Sequence, residues 1–143
     1  MLKNINVALP SVPHFICELA VRVNDLNYGG HLGIIELQNI LHEGRIELLS
    51  KHKLSEVNFY SGALIMTECW TRQYQECFQS DILILKISII NVSKIRFEIF
   101  YEVLKKSSLK LVAHAITKLT YMSKDKKPSK LPKNFLSIFK MKN

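Results

Sequence analysis

Hydrophobic and polar positions along this chain change period twice. From Phe15 to Val23 they alternate, with Phe15, Cys17, Leu19, Val21 and Val23 set against Glu18, Ala20 and Arg22. This is the period of a half-buried strand. Asn24-Asp25-Leu26-Asn27-Tyr28-Gly29-Gly30 follows, rich in residues that tolerate turns. From about Leu32 to Lys51 the spacing becomes three and four. Leu37, Ile40, Leu41, Gly44 and Leu48 share a face, and Glu36, Asn39, Glu43 and Glu47 form the opposite stripe. Ile34, Ile35, Ile46 and Leu49 widen the apolar arc, so the helix is expected to be covered on most sides.

The two-residue period then returns. Ala63 to Gln75, Ile82 to Val92, Ile95 to Val103 and Lys110 to Met122 read as strands, and Asn91 to Lys94 and Lys105 to Ser108 read as short turns between antiparallel neighbours. A strand, a long helix and four more strands predict an α+β fold, with one helix packed on one antiparallel sheet. At 143 residues the chain fits one domain, and 48% hydrophobic content supplies its core. Phe135, Leu136, Ile138 and Phe139 are placed to dock back as a last amphipathic turn.

Charge adds a partner question. Net charge is +8, and residues 123–143 carry seven lysines and one aspartate, so +6 of it sits in that basic tail. Such a tail is either solvated or attracts phosphates of nucleic acid, lipid or coenzyme. The basic residues are not interleaved with aromatics on a sheet face, which argues against a nucleic-acid module. No apolar run approaches the ~18 residues needed to span a bilayer. The first ten residues lack the apolar core of a signal peptide, so a cytoplasmic protein is expected. Cys17, Cys69 and Cys77 are widely spaced, form no C-x-x-C pair, and read as ordinary buried thiols rather than a disulfide framework or metal centre. Asn91-Val92-Ser93 is a glycosylation sequon, relevant only to a secreted chain.

Candidate chemistry gathers before the helix. Gly29, Gly30 and Gly33 crowd its start, and no Ser, Thr, Asp or Asn stands at the expected cap. Helix-start N–H groups left in this way can bind a carbonyl oxygen or a developing oxyanion, although a plain glycine turn has the same composition. The spacing matches neither a P-loop nor G-x-G-x-x-G.

Val23-Asn24-Asp25-Leu26-Asn27-Tyr28-Gly29-Gly30-His31-Leu32-Gly33, followed by Leu41-His42-Glu43-Gly44-Arg45, resembles the hotdog-fold acyl-CoA thioesterases of the 4-hydroxybenzoyl-CoA thioesterase type. These carry a D-x-D or D-x-N turn, then G-H-[VL], then a helix with E-x-[AG]-R. Phe78-Gln79-Ser80-Asp81 and Leu131-Pro132-Lys133-Asn134-Phe135 resemble later parts of the same pattern, so the likeness covers most of the chain. It implies a hotdog fold, one long central helix wrapped by a five-stranded antiparallel sheet. It also implies a homodimer or homotetramer with active sites between subunits. The substrate would be an acyl-CoA or acyl-carrier thioester, with no further cofactor.

The resemblance aligns Asn27 with the family's usual catalytic aspartate. An amide can orient water or donate to a carbonyl, but it cannot act as base or nucleophile. His31 takes the G-H position, as a base for water or as a turn-fixing hydrogen-bonder. Glu43 and Arg45 are read as the E and R of the helix pattern, which makes Glu43 a candidate carboxylate; a solvated glutamate stripe is the bland alternative. Glu68, sharing a strand face with Leu64, Met66, Trp70 and Arg72, is a second candidate, or else simply pairs with Arg72. Tyr28, Gly30, Gly33, Ile34 and Arg45 form the expected substrate-binding set, with Gly33 and Ile34 acting through backbone N–H groups. Arg45 alternatively ties helix to sheet or to a partner subunit. Ile34 and Ile35 stand where relatives are often polar. Together with Asn27 they keep a second reading open, a non-catalytic acyl-CoA or acyl-carrier binding protein on the same fold.

Overall fold

The computed structural model describes residues 8–135 and 137. Strand β1 (Phe15–Ala20) leads through a short 3-10 helix (Val23–Asp25) to α1 (Ile34–Lys51), then β2 (Ala63–Gln73), β3 (Ile82–Ile90), β4 (Arg96–Lys105) and β5 (Leu111–Met122). The strands form one antiparallel sheet in the order β1-β3-β4-β5-β2, with α1 against one face. This is the expected α+β hotdog arrangement. β1 is shorter than its alternation suggested, because the chain turns into the 3-10 helix soon after Ala20.

The face toward α1 is continuous across the sheet. Leu83, Leu85 and Ile87 of β3, Phe97, Ile99, Tyr101 and Val103 of β4, and Ala113, Ala115, Thr117 and Leu119 of β5 are buried there. Leu37, Ile40, Leu41, Leu48 and Leu49 of α1 pack against them. Gly44 permits the close approach: a Cβ at that position would stand 2.7 Å from Leu85 Cδ2 and 3.1 Å from Ile87 Cδ1. The far side of α1 is less covered than its apolar arc predicts. Ile35 is 76% exposed and Ile34 and Ile46 are also exposed, since the sheet reaches only one flank of the helix.

β2 departs from simple alternation. Its register with β5 shifts between Met66 and Glu68, so Leu64 and Met66 face the helix while Glu68, Trp70 and Arg72 pair with Lys118, Ile116 and His114 on the opposite face. The extra residue in such a bulge changes which side the following residues occupy. The single face predicted for Leu64 through Arg72 is therefore split at Thr67.

At the far end Leu131 and Phe135 are buried, and the Phe135 ring lies 4.5 Å from that of Phe97 and 5.7 Å from that of Phe59. The docking expected of this segment thus holds for Phe135; Leu136, Ile138 and Phe139 lie outside the described residues. The three thiols are free. Cys77 is buried and Cys17 half-buried, but Cys69 is exposed on edge strand β2, contrary to its reading as a buried thiol. Among the described residues no helix is long and apolar enough to cross a membrane.

Replacing Gly44 by alanine weighs two effects against each other. Helix propensity would gain about 1 kcal/mol, and overpacking typically costs about 1–3 kcal/mol. Both methyl groups in the way belong to side chains with no exposed surface, so packing should win. Urea unfolding of Gly44→Ala is expected to show a net loss of about 1 kcal/mol. A gain in stability would contradict the close contact of α1 with β3.

Candidate active site

A tight hairpin delivers the chain to the helix start. Leu26 and Leu32 bridge across it, Asn27 N–H donates to His31 O at 2.7 Å, and Gly30 N–H donates to Asn27 O at 3.0 Å. Gly30 has φ +81°, a conformation glycine adopts without penalty. The Asn27 side chain closes the turn, its Oδ1 accepting from Gly29 N–H at 3.0 Å and His31 N–H at 3.3 Å. Turn formation thus occupies the amide oxygen and leaves the amide N–H2 to donate. Buried Asp25 anchors the approach by accepting from Arg22 N–H at 2.8 Å and from its guanidinium. Leu32 N–H donates to Cys77 O at 2.8 Å, which ties the hairpin to the loop after β2.

Gly33 is the N-cap of α1 and provides no side-chain cap. The first intrahelical bond runs from Leu37 N–H to Gly33 O at 2.8 Å. The N–H groups of Ile34, Ile35 and Glu36 precede it and carry the partial positive charge of the helix start. Glu36 folds its carboxylate back over Gly33, into the space a Cβ would fill, and Asn27 Cβ is 3.1 Å from that same point. An alanine at 33 would therefore displace the Glu36 carboxylate and crowd Asn27 Cβ.

Beside this start lies an open cleft of about 330 Å³, lined by Asn27, His31, Leu32 and Ile34 from the turn and by residues 73–76 after β2. His31 Nδ1 faces Glu76 Oε2 at 3.4 Å, within ion-pair range without forming a hydrogen bond, and the ring leans on Phe78 at 5.2 Å. Gln73 holds the two walls together, its Nε2 donating to Leu32 O at 3.3 Å and Gln75 O at 3.2 Å.

The structure therefore brings together Asn27, His31 and Ile34 from the predicted set, with Gly30 in the turn; Gly33 is at the helix start, but its N–H, expected to face substrate, instead donates to Asp25 O at 3.3 Å. Tyr28 is fully exposed and is not among the residues lining the cleft. Ile35 likewise points to solvent.

Glu43 is exposed on the flank of α1 toward β1, where its charge acts on Arg22 and Cys17 rather than on the cleft. It also stands two residues before Arg45, whereas E-x-[AG]-R needs three; His42 holds that position. Glu68 is exposed on the sheet face away from α1, 2.6 Å from Lys118 Nζ, and that partner holds its carboxyl below the usual range. The bulge at Thr67 put it there.

Arg45 is only 4% exposed, and its guanidinium is engaged inside the protein. Nε donates to Glu56, and one terminal nitrogen reaches Tyr101 Oη at 3.4 Å. Substrate contact is thereby excluded for this side chain in favour of the alternative role, tying helix to sheet. His42 Nε2 lies 3.1 Å from the same Glu56 carboxylate. Burial alone would push the Glu56 carboxyl up, but Arg45 and then His42 outweigh it and hold it below the usual range.

Two carboxylates at the site escaped the sequence reading. Glu76 had no motif around it, and its nearness to His31 depends on the loop after β2 folding beside the hairpin. Glu36 looked like part of a solvated stripe; its position three residues after an uncapped Gly33 was the available signal.

Residues 21–139 match the family described as the thioesterase-like superfamily. Among curated proteins no match is found. Solved structures share the fold. A 1,4-dihydroxy-2-naphthoyl-CoA thioesterase from Synechocystis has a TM-score of 0.79 at 22% identity, over 87% of this chain and 94% of that one. A DHNA-CoA thioesterase from Staphylococcus aureus has 0.74 at 18%, over 85% and 83%. A gentisyl-coenzyme A thioesterase has 0.73 at 13%, over 83% and 97%. At these identities the likeness is one of fold.

Replacing Glu56 by Gln should leave the Arg45 guanidinium buried without its counter-charge and cost about 3 kcal/mol in urea unfolding, the low end for a buried pair because the carboxylate is a quarter exposed. The folded carboxyl titrates below its unfolded value. Its stabilisation is thus present above the ordinary carboxylate range and lost as pH falls through the lower folded value. Stability measured against pH should accordingly show a shallower acid limb in Glu56→Gln than in the parent.

Proposed function

The chain belongs to the thioesterase-like superfamily, and we propose that it hydrolyses an acyl-CoA or acyl-carrier thioester at the start of α1. The observation that carries this reading is an uncapped helix N-terminus opening on a cleft that also holds Asn27 and His31. The thioester carbonyl lies against the N–H groups of Ile34 and Ile35, with the Asn27 amide N–H2 as a further donor. His31 Nε2 takes a proton from water as the water oxygen attacks the carbonyl carbon. The resulting imidazolium is stabilised by Glu76 on the Nδ1 side. Negative charge gathers on the former carbonyl oxygen, where the helix-start N–H groups meet it. Collapse of this intermediate breaks the C–S bond, and His31 returns its proton to the leaving sulfur, giving free acid and thiol.

Asn27 cannot serve as nucleophile, so His31 fits better as the group that activates water. Glu36 is a carboxylate close enough to the helix start to compete with the oxyanion, so it swings clear when substrate enters. The open edge of β2 supports assembly as a homodimer or homotetramer. Binding of a thioester without turnover, by contrast, would favour the non-catalytic reading motivated by Asn27, Ile34 and Ile35.

Steady-state hydrolysis across a panel of acyl-CoA and acyl-carrier thioesters tests the proposal. His31→Gln is expected to lower kcat by about 10²–10⁴-fold, the usual worth of a general base. Glu43→Gln and Glu68→Gln are expected to stay near the parent rate. Absence of turnover with every thioester, or a His31→Gln variant as active as the parent, would count against it.

A further inference from the structure

We infer that a second cavity, at the other end of β2, is a binding site for a phosphoryl group. It has a volume of about 550 Å³ and is walled by Asn58, Tyr60, Ser61, Ser123, Lys124 and Lys126 among others. Two tight turns build it. One is closed by reciprocal bonds between Phe59 and Gly62, at 2.9 and 3.0 Å. The other is closed by Ser123 N–H to Lys127 O and by Lys126 N–H to Ser123 O, both at 2.9 Å. Tyr60 and Lys126 sit in these turns at φ +56° and +60°, left-handed conformations uncommon for such residues. Gly62 presses so closely on Met122 O that no Cβ fits there. The cavity's walls are thus fixed by backbone contacts.

The chemistry of the lining is one-sided. It contains two ammonium groups and no carboxylate. Neither Lys124 nor Lys126 forms an ion pair among the described residues. Ser61, Ser123 and Asn58 add neutral donors. Two cations and several hydroxyl and amide donors suit a phosphoryl dianion with three terminal oxygens better than a single carboxylate.

The phosphoryl group has two possible sources, a separate phosphorylated small molecule or the nucleotide end of a coenzyme thioester. Cleft and cavity lie at opposite ends of β2, about 33 Å apart at ordinary strand rise. A second copy pairing antiparallel along the open edge of β2 would set the cavity of one protomer beside the cleft of the other, and only in that assembly does the substrate's own phosphate reach it. The site itself does not depend on the hydrolytic reading, and its test requires no turnover.

Calorimetric titration of the full chain at physiological salt, where loose attraction to surface lysines is screened, should show saturable binding of inorganic phosphate and adenosine 3′,5′-bisphosphate but not of adenosine. The double variant Lys124→Gln, Lys126→Gln should weaken phosphate binding by about tenfold or more. If the substrate supplies the phosphate, the double variant raises KM for an acyl-CoA and leaves KM for the same acyl group on N-acetylcysteamine unchanged. If a separate molecule supplies it, neither KM moves. No phosphate binding by the parent chain, or equal affinity in the double variant, would overturn the inference.

Discussion

The site depends on one feature of the backbone: the first turn of α1 begins at a glycine that offers no cap. In most helices a Ser, Thr, Asp or Asn side chain answers one of the leading N–H groups. Here the nearest such residue, Asn27, has turned its oxygen the other way, onto Gly29 and His31. The same choice shapes the hairpin and leaves the helix start open. Gly33 then does two things at once. It leaves the N–H groups uncovered by its own side chain, and it leaves room for the Glu36 carboxylate to fold back beside it. A carboxylate of the protein's own therefore stands beside the helix start.

The rest of the fold keeps that turn in place. Hydrogen bonds from Leu32 to Cys77 and from Gln73 to Leu32 tie the hairpin to the loop after β2, and this is what sets Glu76 beside His31. Farther along α1, Gly44 lets the helix lie close on β3 and the Arg45–Glu56 pair joins it to the following loop and to Tyr101. A buried ion pair contributes more to fixing one arrangement than to net stability. In this chain it joins the middle of α1 to the loop that carries Glu56.

The sequence was most legible where one periodicity runs uninterrupted. The alternation from Ile95 to Val103 marks β4, and the three- and four-residue spacing marks α1, because burial on a single face imposes both patterns. Legibility fails where one residue changes the count. The bulge at Thr67 leaves no compositional trace, yet it carries Glu68 to the opposite face of the sheet from the one Met66 occupies. Arg45 was legible as a helix residue of consequence, but only tertiary packing shows that its guanidinium points inward. Glu76 was invisible, since its role arises from two loops that meet only after folding. The turn from Asn27 to Gly33 was legible as a turn, because glycine and asparagine carry their conformational meaning locally.

Backbone amide NMR can observe directly whether the helix-start N–H groups meet the carbonyl oxygen. Titration with an unreactive thioether analogue of an acyl-CoA, which keeps a carbonyl one carbon from sulfur, should shift the amide resonances of Ile34 and Ile35 most, together with the side-chain NH2 of Asn27. Binding that leaves these signals unmoved, with the largest shifts elsewhere on the molecule, would contradict that contact.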